Sequence, residues 1–399
     1  MTASPAVVVG ADTHLDTIHV AVLSDTGKPL ADAVFPTRPA GYYVALKWAQ
    51  GFGTVLRAGV EGTSSYGAGF TRALQDAGVE VAEINRPDHA ARRRQGKSDP
   101  LDAYAAARAA LAGHGLAVPK DQHTTALRAL LTARRGAVKA RTAAINQIKA
   151  LLVTAPAEMR ERYRRYTTLT LVRTLARCRP TAQDDPTTMA VLTGCKALAQ
   201  RIEFLERQTK DLTTALDELV NTRNPALRAA YGVGPDTAAQ LLITAGTNPD
   251  RLRNEAAFAM LCGTAPIPAS SGKTTRHRLC HGGDRAANNA LHRIALVRMS
   301  HDPRTRAYVA HQLANGRSKL DILRLLKRAI AREMFKHLTD PCPIDDYRDL
   351  RPTRRAKNIT LTTAADHFGV WPNDISRLER GVKRDDTLAI NYRTWLIAA

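Results

Sequence analysis

Apolar side chains in the first hundred residues alternate between strand-like and helix-like spacing. The predicted strands are AVVVGAD (6–12), TIHVAVLSD (17–25), Leu30 to Phe35, VLRAGVEG (55–62) and VEVAEIN (79–85), and the predicted helices are 40–51 and Tyr66 to Ala77. A basic loop and an alanine-rich helix follow. Three consecutive strands, and then alternating helices and strands, indicate a mixed sheet with helices on its faces.

Strand spacing disappears after about residue 120, and helical spacing replaces it. Helices are predicted over 124–153 and 197–221, with a Pro- and Thr-rich linker between them from Cys178 to Thr188. The second helix carries an apolar seam made of Leu198, Ile202, Leu205, Leu212, Leu216 and Leu219. Such a seam fits either a coiled coil with a neighbour or a helical hairpin within the chain.

The predicted fold class is α/β followed by all-α, since 399 residues are enough for several cores. The predicted boundaries are 1–115 for the α/β domain, 116–225 for a helical or coiled-coil region, 226–340 for a second helical domain, 341–358 for a linker and 359–399 for a compact last unit.

The charge of the chain is large and unevenly distributed. There are 58 Lys and Arg against 37 Asp and Glu, a net charge of +21. Residues 1–110 hold 11 of each sign, whereas 111–225 hold 19 basic against 10 acidic and 226–340 hold 18 against 8. DNA or RNA is the expected partner of such a surface.

Compartment signals indicate a cytoplasmic protein without a membrane partner. No apolar stretch approaches the roughly 18 residues of a membrane span, and the N-terminus lacks the basic segment of a signal peptide. The five cysteines are scattered and odd in number, which suits free thiols in a reducing environment.

Four carboxylates stand out by their positions. Asp12 and Glu61 end two predicted strands, and Asp99 and Asp102 open the helix after the basic loop. Strand ends converge at one edge of an open α/β sheet, and residues three apart share a helix face. Taken singly, each acid has a structural explanation, such as a turn or a helix cap. As a set they predict a site for Mg²⁺, which prefers oxygen ligands and clamps phosphodiesters in pairs.

The segments that hold these acids, GADTHLD, VEGTSSYG and KSDPLDAYAAAR, resemble the acidic blocks of the DEDD transposases of insertion sequences. The resemblance implies an RNase H-like (RuvC-like) fold for the first domain. It also implies that Asp12, Glu61, Asp99 and Asp102 are catalytic acids that bind Mg²⁺.

The segment Tyr231-Gly232-Val233-Gly234-Pro235 lies between two predicted helices. Its glycines allow positive φ angles and close approach to a phosphate, and the following helix N-terminus offers free N–H groups. The segment looks like a helix-hairpin-helix that contacts the DNA backbone through Gly232 and Gly234. An ordinary interhelical turn is the alternative.

A serine-containing loop precedes a basic segment in the second half of the chain. Its context resembles the C-terminal domain of the same transposases, in which a serine just before a glycine is the nucleophile. The resemblance assigns that role to Ser271, with Ser270 as the alternative. Serine attack stores the phosphodiester bond energy in a phosphoserine link, so that strands are rejoined without ATP.

Basic side chains flank the predicted sites. Besides the two hairpin glycines, the predicted nucleic-acid-binding residues are Arg92, Arg93, Arg94, Lys97, Lys273, Arg276, Arg278 and Arg377. Arg377 lies in the last unit, whose apolar spacing and Gly369 look like a repressor-type helix-turn-helix. The transposase resemblance does not extend to this unit.

The family resemblance implies excision and insertion of a mobile element at specific DNA sites. It implies a homo-oligomer, a dimer or a tetramer, in which the serine of one subunit meets the acidic site of another. Some members use a structured guide RNA, called a bridge RNA, and we expect one here. Two alternatives remain: a junction-resolving nuclease that activates water, and a DNA-binding regulator built on the last unit.

Overall fold

The computed structural model divides the chain into two compact units. It describes residues 5–84, 98–113, 116, 118–119, 121–181, 185–246, 252–273, 277–278, 280–344, 347, 349–381 and 384–398. The first unit is Met1–Ala126 together with Ala245–Arg253, and the second is Leu127–Thr244 together with Asn254–Ala399.

A five-stranded sheet forms the first unit. The strands are β1 Ala6–Thr13, β2 Thr17–Ser24, β3 Pro29–Pro36, β4 Thr54–Glu61 and β5 Glu80–Ile84, and the helices are α1 Pro39–Gln50, α2 Ala68–Asp76 and α3 Asp99–Ala112. The strand order is β3-β2-β1-β4-β5, with antiparallel pairing from β1 to β3 and parallel pairing from β1 to β5. The predicted mixed sheet is confirmed, and the ends of each predicted strand lie within two residues of the ends in the structure. The sheet fits an RNase H-like domain.

Strand β1 is buried on both faces. Val7, Val9 and Ala11 pack in one cluster with residues of α1 and α2, including Leu46 and Phe70. The other face of β1 contacts α3. Since β1 and β4 run parallel, their carboxyl-terminal ends lie at the same edge of the sheet.

The chain beyond the sheet is mostly helical, as predicted. Its elements are α4 Gln122–Val153, α5 Ala157–Arg164, α6 Thr168–Ala176, α7 Pro186–Arg223, α8 Pro225–Ala229, α9 Pro235–Ala245, α10 Glu255–Leu261, β6 Ile267–Pro268, β7 His277–Arg278, α11 Arg285–His301, α12 Pro303–Ala314, α13 Lys319–Thr339, α14 Leu350–Ala356, α15 Leu361–Phe368, α16 Pro372–Glu379 and α17 Asp386–Ala398. Among the residues described, no helix combines the length and apolarity needed to cross a bilayer.

Helices α4 and α7 pack together as an intramolecular hairpin. Arg141 on α4 pairs with Glu206 on α7 at 2.6 Å, and Arg134 Nε donates to Thr213 Oγ1 at 2.8 Å, so the helices run antiparallel. Buried Ile202 belongs to an apolar cluster that contains residues of both helices. The predicted seam of α7 therefore packs within the chain, and a coiled coil with another subunit stays a prediction.

The first predicted linker, Cys178 to Thr188, is shorter in the structure. Asp185 accepts hydrogen bonds from the backbone amides of Thr187 and Thr188, at 2.9 and 3.1 Å. This cap starts α7 at Pro186, inside the predicted linker.

The second predicted linker, 341–358, contains α14. Tyr347 and Leu350 are buried in the apolar core of the terminal unit with Ile375 and Leu378, so this unit begins before residue 359, the predicted boundary. Within it, α15 ends at Phe368, and Gly369, with a left-handed φ of +62°, turns the chain before α16 begins.

Candidate functional site

Two glycines let α3 approach the sheet closely. A Cβ atom on Gly10 of β1 would lie 2.0 Å from the carbonyl oxygen of Ala103, and one on Gly59 of β4 would lie 2.3 Å from that of Ala106. Those distances exclude any side chain at either position. Glycine on the strands and alanine on the helix therefore set where the first turn of α3 lies.

The predicted acids lie where these elements begin or end. Asp12 is the penultimate residue of β1, and Glu61 is the last residue of β4. Thr13 Oγ1 donates to the Glu61 carbonyl oxygen at 2.9 Å, which connects the two strand ends. Asp99 and Asp102 occupy the first turn of α3.

Asp12 and Asp99 come together with His14, which the sequence analysis did not select. The Nε2 atom of His14 lies 3.3 Å from Asp12 Oδ2 and 3.4 Å from Asp99 Oδ1. One donor atom from each of the three residues lies within 4.8 Å of the others. The available signal was spacing, because a residue two positions after Asp12 points to the same side of an extended chain.

Burial makes the Asp12 carboxylate costly to leave charged and unpartnered. Asp12 is 7% exposed, and its Oδ2 atom makes no hydrogen bond to any residue that the structure describes. Burial is the main cause that raises the pKa of Asp12; His14 lowers it, and the charges of Asp102 and Asp99 raise it further. A cation would relieve this repulsion. Carboxylate oxygens with one imidazole nitrogen fit a divalent metal ion.

The other two acids are placed less directly. Asp102 is 5% exposed and acts on the pKa of Asp12 through its charge. Glu61 is half-buried and follows Val60, which pairs with Ala11, the residue before Asp12. Asp12, Asp99 and Asp102 thus form one electrostatic group, with Glu61 on the neighbouring strand end.

The predicted nucleophile belongs to the second unit and lies in a short β-hairpin. Strands β6 and β7 pair antiparallel, and Ser270, Ser271 and Gly272 lie in the segment between them. Both serines and the neighbouring Lys273 and Arg278 are exposed. Gly272 has a φ of +54°, a conformation that favours glycine. The loop therefore presents two hydroxyl groups and two cations to solvent.

A polar network holds the amino-terminal side of this loop. Asn288 Nδ2 on α11 donates to the carbonyl oxygens of Cys262, at 3.0 Å, and Gly263, at 2.8 Å. Lys327 Nζ on α13 donates to Asn288 Oδ1 at 3.0 Å. Lys327 is 8% exposed, and burial lowers its pKa. Sequence reasoning missed both residues; a lysine within the apolar spacing of α13 was the available signal.

Asp284 holds the carboxyl-terminal side of the loop. Its backbone amide donates to the Leu261 carbonyl oxygen at 2.7 Å, and its carboxylate accepts from the Ala286 amide at 2.7 Å, which caps α11. The Thr244 hydroxyl donates to the same carboxylate at 2.5 Å. Cys262 follows Leu261, and burial raises the pKa of its thiol to about 12, with a contribution from the Asp284 charge. That thiol is protonated at neutral pH.

The predicted helix-hairpin-helix loop joins α8 and α9. Gly232 has a φ of +77°, and the surroundings of Gly234 are open enough for close approach of another molecule. The Gly234 amide donates to Thr237 Oγ1 at 3.0 Å, and Arg298 Nε donates to the Tyr231 carbonyl oxygen at 2.8 Å. The loop is thus held by contacts within its own unit, and its binding to DNA stays a prediction.

The remaining predicted nucleic-acid contacts fall in two groups. Arg377 is exposed on α16. Outside the described residues lie Arg92, Arg93, Arg94, Lys97 and Arg276.

Known proteins resemble this chain in two long segments. A family model of IS110-type DEDD transposases, described as "Transposase", matches residues 9–155, which contain all four acids. A second model, described as "Transposase IS116/IS110/IS902 family", matches residues 224–310, which contain the predicted helix-hairpin-helix loop and Ser271. Together the two models match more than half of the chain.

A relative from Streptomyces coelicolor supports the same assignment. It is called "Insertion element IS110 uncharacterized 43.6 kDa protein" and is 29% identical over 167 residues. This alignment covers 40% of the present chain and 41% of the relative, less than half of either. With both family models in chain order and the acids on the expected sheet edge, the chain belongs to the IS110 family of DEDD transposases.

Proposed function

We propose that this protein is a site-specific DNA recombinase that transposes a mobile insertion sequence in the bacterial cytoplasm or nucleoid. The observation that carries the proposal is the buried Asp12 carboxylate beside Asp99 and Asp102, with an oxygen that accepts no hydrogen bond from the described residues. Such a group favours a cation that can act on a phosphodiester. Family membership and the net charge of +21 support DNA as the substrate class.

The metal ligands in this proposal are Asp12, Glu61, Asp99 and Asp102, and the ion is Mg²⁺. When bound, Mg²⁺ neutralises charge on phosphodiester oxygens. The fold fixes where these carboxylates lie. Two of the acids are at the ends of strands, and two start a helix that packs tightly on those strands. Their geometry is therefore set before DNA binds.

Ser271 is the proposed nucleophile. Its Oγ atom attacks the phosphorus, and the bond from phosphorus to one deoxyribose oxygen breaks. The serine hydroxyl loses its proton, and the departing deoxyribose oxygen gains one. The protein is then joined to DNA through a phosphoserine ester. Attack on that ester by another DNA hydroxyl reverses the step and rejoins a strand. The exposure of Ser271 and the nearby cations Lys273 and Arg278 support this role.

A covalent trap tests the role of Ser271. Full-length protein is incubated with labelled DNA from the ends of the element and Mg²⁺, denatured, and separated by electrophoresis. Wild type and Ser270→Ala should give labelled protein, and Ser271→Ala should give none. Ser270→Ala is a matched control because both serines are exposed neighbours in one loop. An adduct that survives Ser271→Ala but not Ser270→Ala would transfer the role to Ser270.

The two rival functions predict different results in the same assay. Nicking without an adduct, unaffected by Ser271→Ala, would support a junction-resolving nuclease that activates water with the same acids. Unchanged operator binding and regulation by a variant with all four acids replaced by alanine would support a DNA-binding regulator.

We further propose a homo-oligomer in which the serine of one subunit acts at the acidic site of another. Complementation tests this arrangement: Ser271→Ala and Asp12→Asn proteins are mixed, denatured together and refolded as hybrids. Recovery of part of the wild-type cleavage would support action between subunits. Hybrids as inactive as either parent would indicate that both groups must come from one chain.

A structured bridge RNA is the proposed guide for target and donor DNA. The excess of basic residues over 111–340, in addition to any surface used by DNA, supports a second polyanionic partner. Sequencing the RNA that co-purifies with the protein tests the proposal. One structured species from the flank of the element is expected, and RNase treatment should abolish target capture. A mixture of unrelated cellular RNA would count against a guide.

The predicted DNA contacts should separate by how they respond to salt. Lys273 and Arg278 are proposed to contact phosphates, together with backbone amides near Gly232 and Gly234 in the loop between α8 and α9. Lys273→Ala should therefore lower, by about one, the slope of the logarithm of the DNA-binding constant against the logarithm of the salt concentration.

We propose that α15 and α16 form a helix-turn-helix that presents Arg377 to base edges. Arg377→Ala should then weaken binding by roughly 1–3 kcal/mol for the DNA sequence that Arg377 reads, and by little for other DNA sequences.

A further inference from the structure

His14 has no role in a site made of four acids alone. Although 43% of its side chain is exposed, its Nε2 atom is shielded from solvent and makes no hydrogen bond within the described part of the chain. That atom faces two carboxylates, Asp12 at 3.3 Å and Asp99 at 3.4 Å. A nitrogen that is buried, makes no hydrogen bond to the described residues and faces two acids is in the position of a ligand.

The distances fit an octahedral metal ion. With ligands at about 2.1 Å, adjacent donor atoms lie about 3.0 Å apart and opposite ones about 4.2 Å apart. The two His14 distances are close to the adjacent value, and all three donors lie within 4.8 Å of one another. A contraction of a few tenths of an ångström would bring the His14 nitrogen to the adjacent-donor distance from each carboxylate oxygen.

A second histidine in the same unit shows what a purely structural pair looks like. His19 Nε2 makes a hydrogen bond with Asp32 Oδ2 at 2.7 Å, and the Tyr104 hydroxyl donates to the same carboxylate at 3.2 Å. The ring of His19 is thus held by a bond of ordinary length. His14 instead lies between two acids, at a longer distance from each.

We propose that His14 is a direct ligand, through Nε2, of the metal ion that Asp12 and Asp99 hold. This inference rests on the proposed function, because it adds a ligand to the same metal site. Its consequence is a change in ion preference. Mg²⁺ favours oxygen ligands alone, whereas Mn²⁺ and later first-row ions accept imidazole, so the site should favour Mn²⁺ over Mg²⁺ more than a site of four carboxylates would.

Mn²⁺ binding to the full-length protein tests the inference without any activity measurement. Electron paramagnetic resonance counts free Mn²⁺ during a titration, and pulsed spectra detect ¹⁴N from a directly bound imidazole. Wild type should show the ¹⁴N coupling, and His14→Ala and the larger His14→Gln should lose it. Both should weaken Mn²⁺ binding roughly tenfold or more. Mg²⁺ affinity, measured by competition, should change about threefold or less.

Two further variants make the test decisive. His19→Gln removes a histidine that pairs with Asp32 in the same unit, and it should keep both the coupling and the Mn²⁺ affinity. Asp12→Asn should abolish binding. If Asp12→Asn loses Mn²⁺ while His14→Ala keeps its affinity and its spectrum, the role of His14 is overturned and the acidic site stands. Tighter Mg²⁺ binding by His14→Ala would overturn it too, because His14 would then obstruct the site. Failure of wild type to bind either ion would reject the metal site and the proposed function together.

Discussion

The acidic site and the serine loop are built in opposite ways. The acids follow or start regular elements, and two glycines that admit no Cβ atom set the separation between helix and strands. Ser271 lies in an exposed segment between two-residue strands, and bonds from Asn288 and Asp284 hold the chain before the loop at Gly263 and Leu261. The acids thus stand on packed elements, whereas the serine stands in an exposed loop.

The difference matches the roles that we propose for the two groups. A metal site needs carboxylates fixed within about half an ångström, because loose ligands lose affinity. A nucleophile that attacks, remains bonded to DNA and is released has to change position, and loops carry such groups more readily than sheets do. The two regions should therefore respond differently to substitutions at the reacting groups, at the supporting residues and at the buried thiol.

The largest expected effect is the loss of strand cleavage, and metal binding then distinguishes the two proposed reacting groups, Asp12 and Ser271. Asp12→Asn and Ser271→Ala should each reduce strand cleavage roughly 10³-fold or more, but only Asp12→Asn should also lose metal binding. Without metal, Asp12→Asn should stabilise the fold by on the order of 1 kcal/mol, because it removes a buried charge with acidic neighbours. Ser271→Ala is an exposed change and should stay within about 0.5 kcal/mol of wild type. Cleavage assays, Mn²⁺ titration and thermal melts in EDTA measure the three quantities.

Weaker metal binding by the isolated Ser271→Ala protein would make the serine loop part of the metal site in the absence of DNA, and the two regions would then not be separate sites. A lower melting temperature for Asp12→Asn would contradict the electrostatic account of that residue.

The next effect tests how tightly α3 packs on the sheet. Gly10→Ala would place a methyl group 2.0 Å from the Ala103 carbonyl oxygen, so the helix has to move. A loss of about 1–3 kcal/mol is expected, with weaker Mn²⁺ binding, because the same helix carries Asp99 and Asp102. Circular dichroism melts and the Mn²⁺ titration measure both effects.

Gly136→Ala is the matched control for this substitution. Gly136 is exposed in the middle of α4, and a Cβ atom there meets nothing within 4 Å. That change should be neutral or stabilising by up to about 1 kcal/mol. Unchanged metal affinity in Gly10→Ala would show that the acids do not depend on the close packing of the helix.

The same contrast explains how much the sequence alone could reveal. Apolar spacing located every strand of the sheet, and the ends of β1 and β4 then located Asp12 and Glu61 without any knowledge of tertiary contacts. His14 was missed because its spacing of two residues from Asp12 is a weak signal until the fold brings Asp99 beside it. Lys327 and Asn288 were missed for a similar reason: they act through contacts between helices that are distant in sequence. Ser271 was identified only through its motif, since an exposed loop has no periodicity.

A smaller effect is expected from the support of the serine loop. Lys327→Met keeps most of the side-chain volume but removes the donor to Asn288 Oδ1, which takes the partner from a part-buried acceptor. We expect a loss of about 1–3 kcal/mol in stability and roughly a tenfold slower formation of the serine–DNA adduct, with metal binding unchanged. Lys336→Met, on the same helix but exposed, is the control and should change neither. Equal effects of the two variants would show that charge on α13, and not the bond to Asn288, is what matters.

The smallest effect concerns the buried thiol at the base of the serine loop. Because burial raises the pKa of Cys262 to about 12, from an ordinary value of 9.0, its thiolate is scarce at pH 8, and iodoacetamide should modify exposed Cys342 long before it modifies Cys262. The raised pKa contributes stability that is fully present below pH 9 and is lost as the pH rises towards 12. Modification of Cys342 should leave cleavage unchanged, and peptide mass spectrometry reports which thiol has reacted. Rapid modification of Cys262 at pH 8 would mean that the base of the loop opens readily, and the contrast between a closed base and an exposed serine would no longer hold.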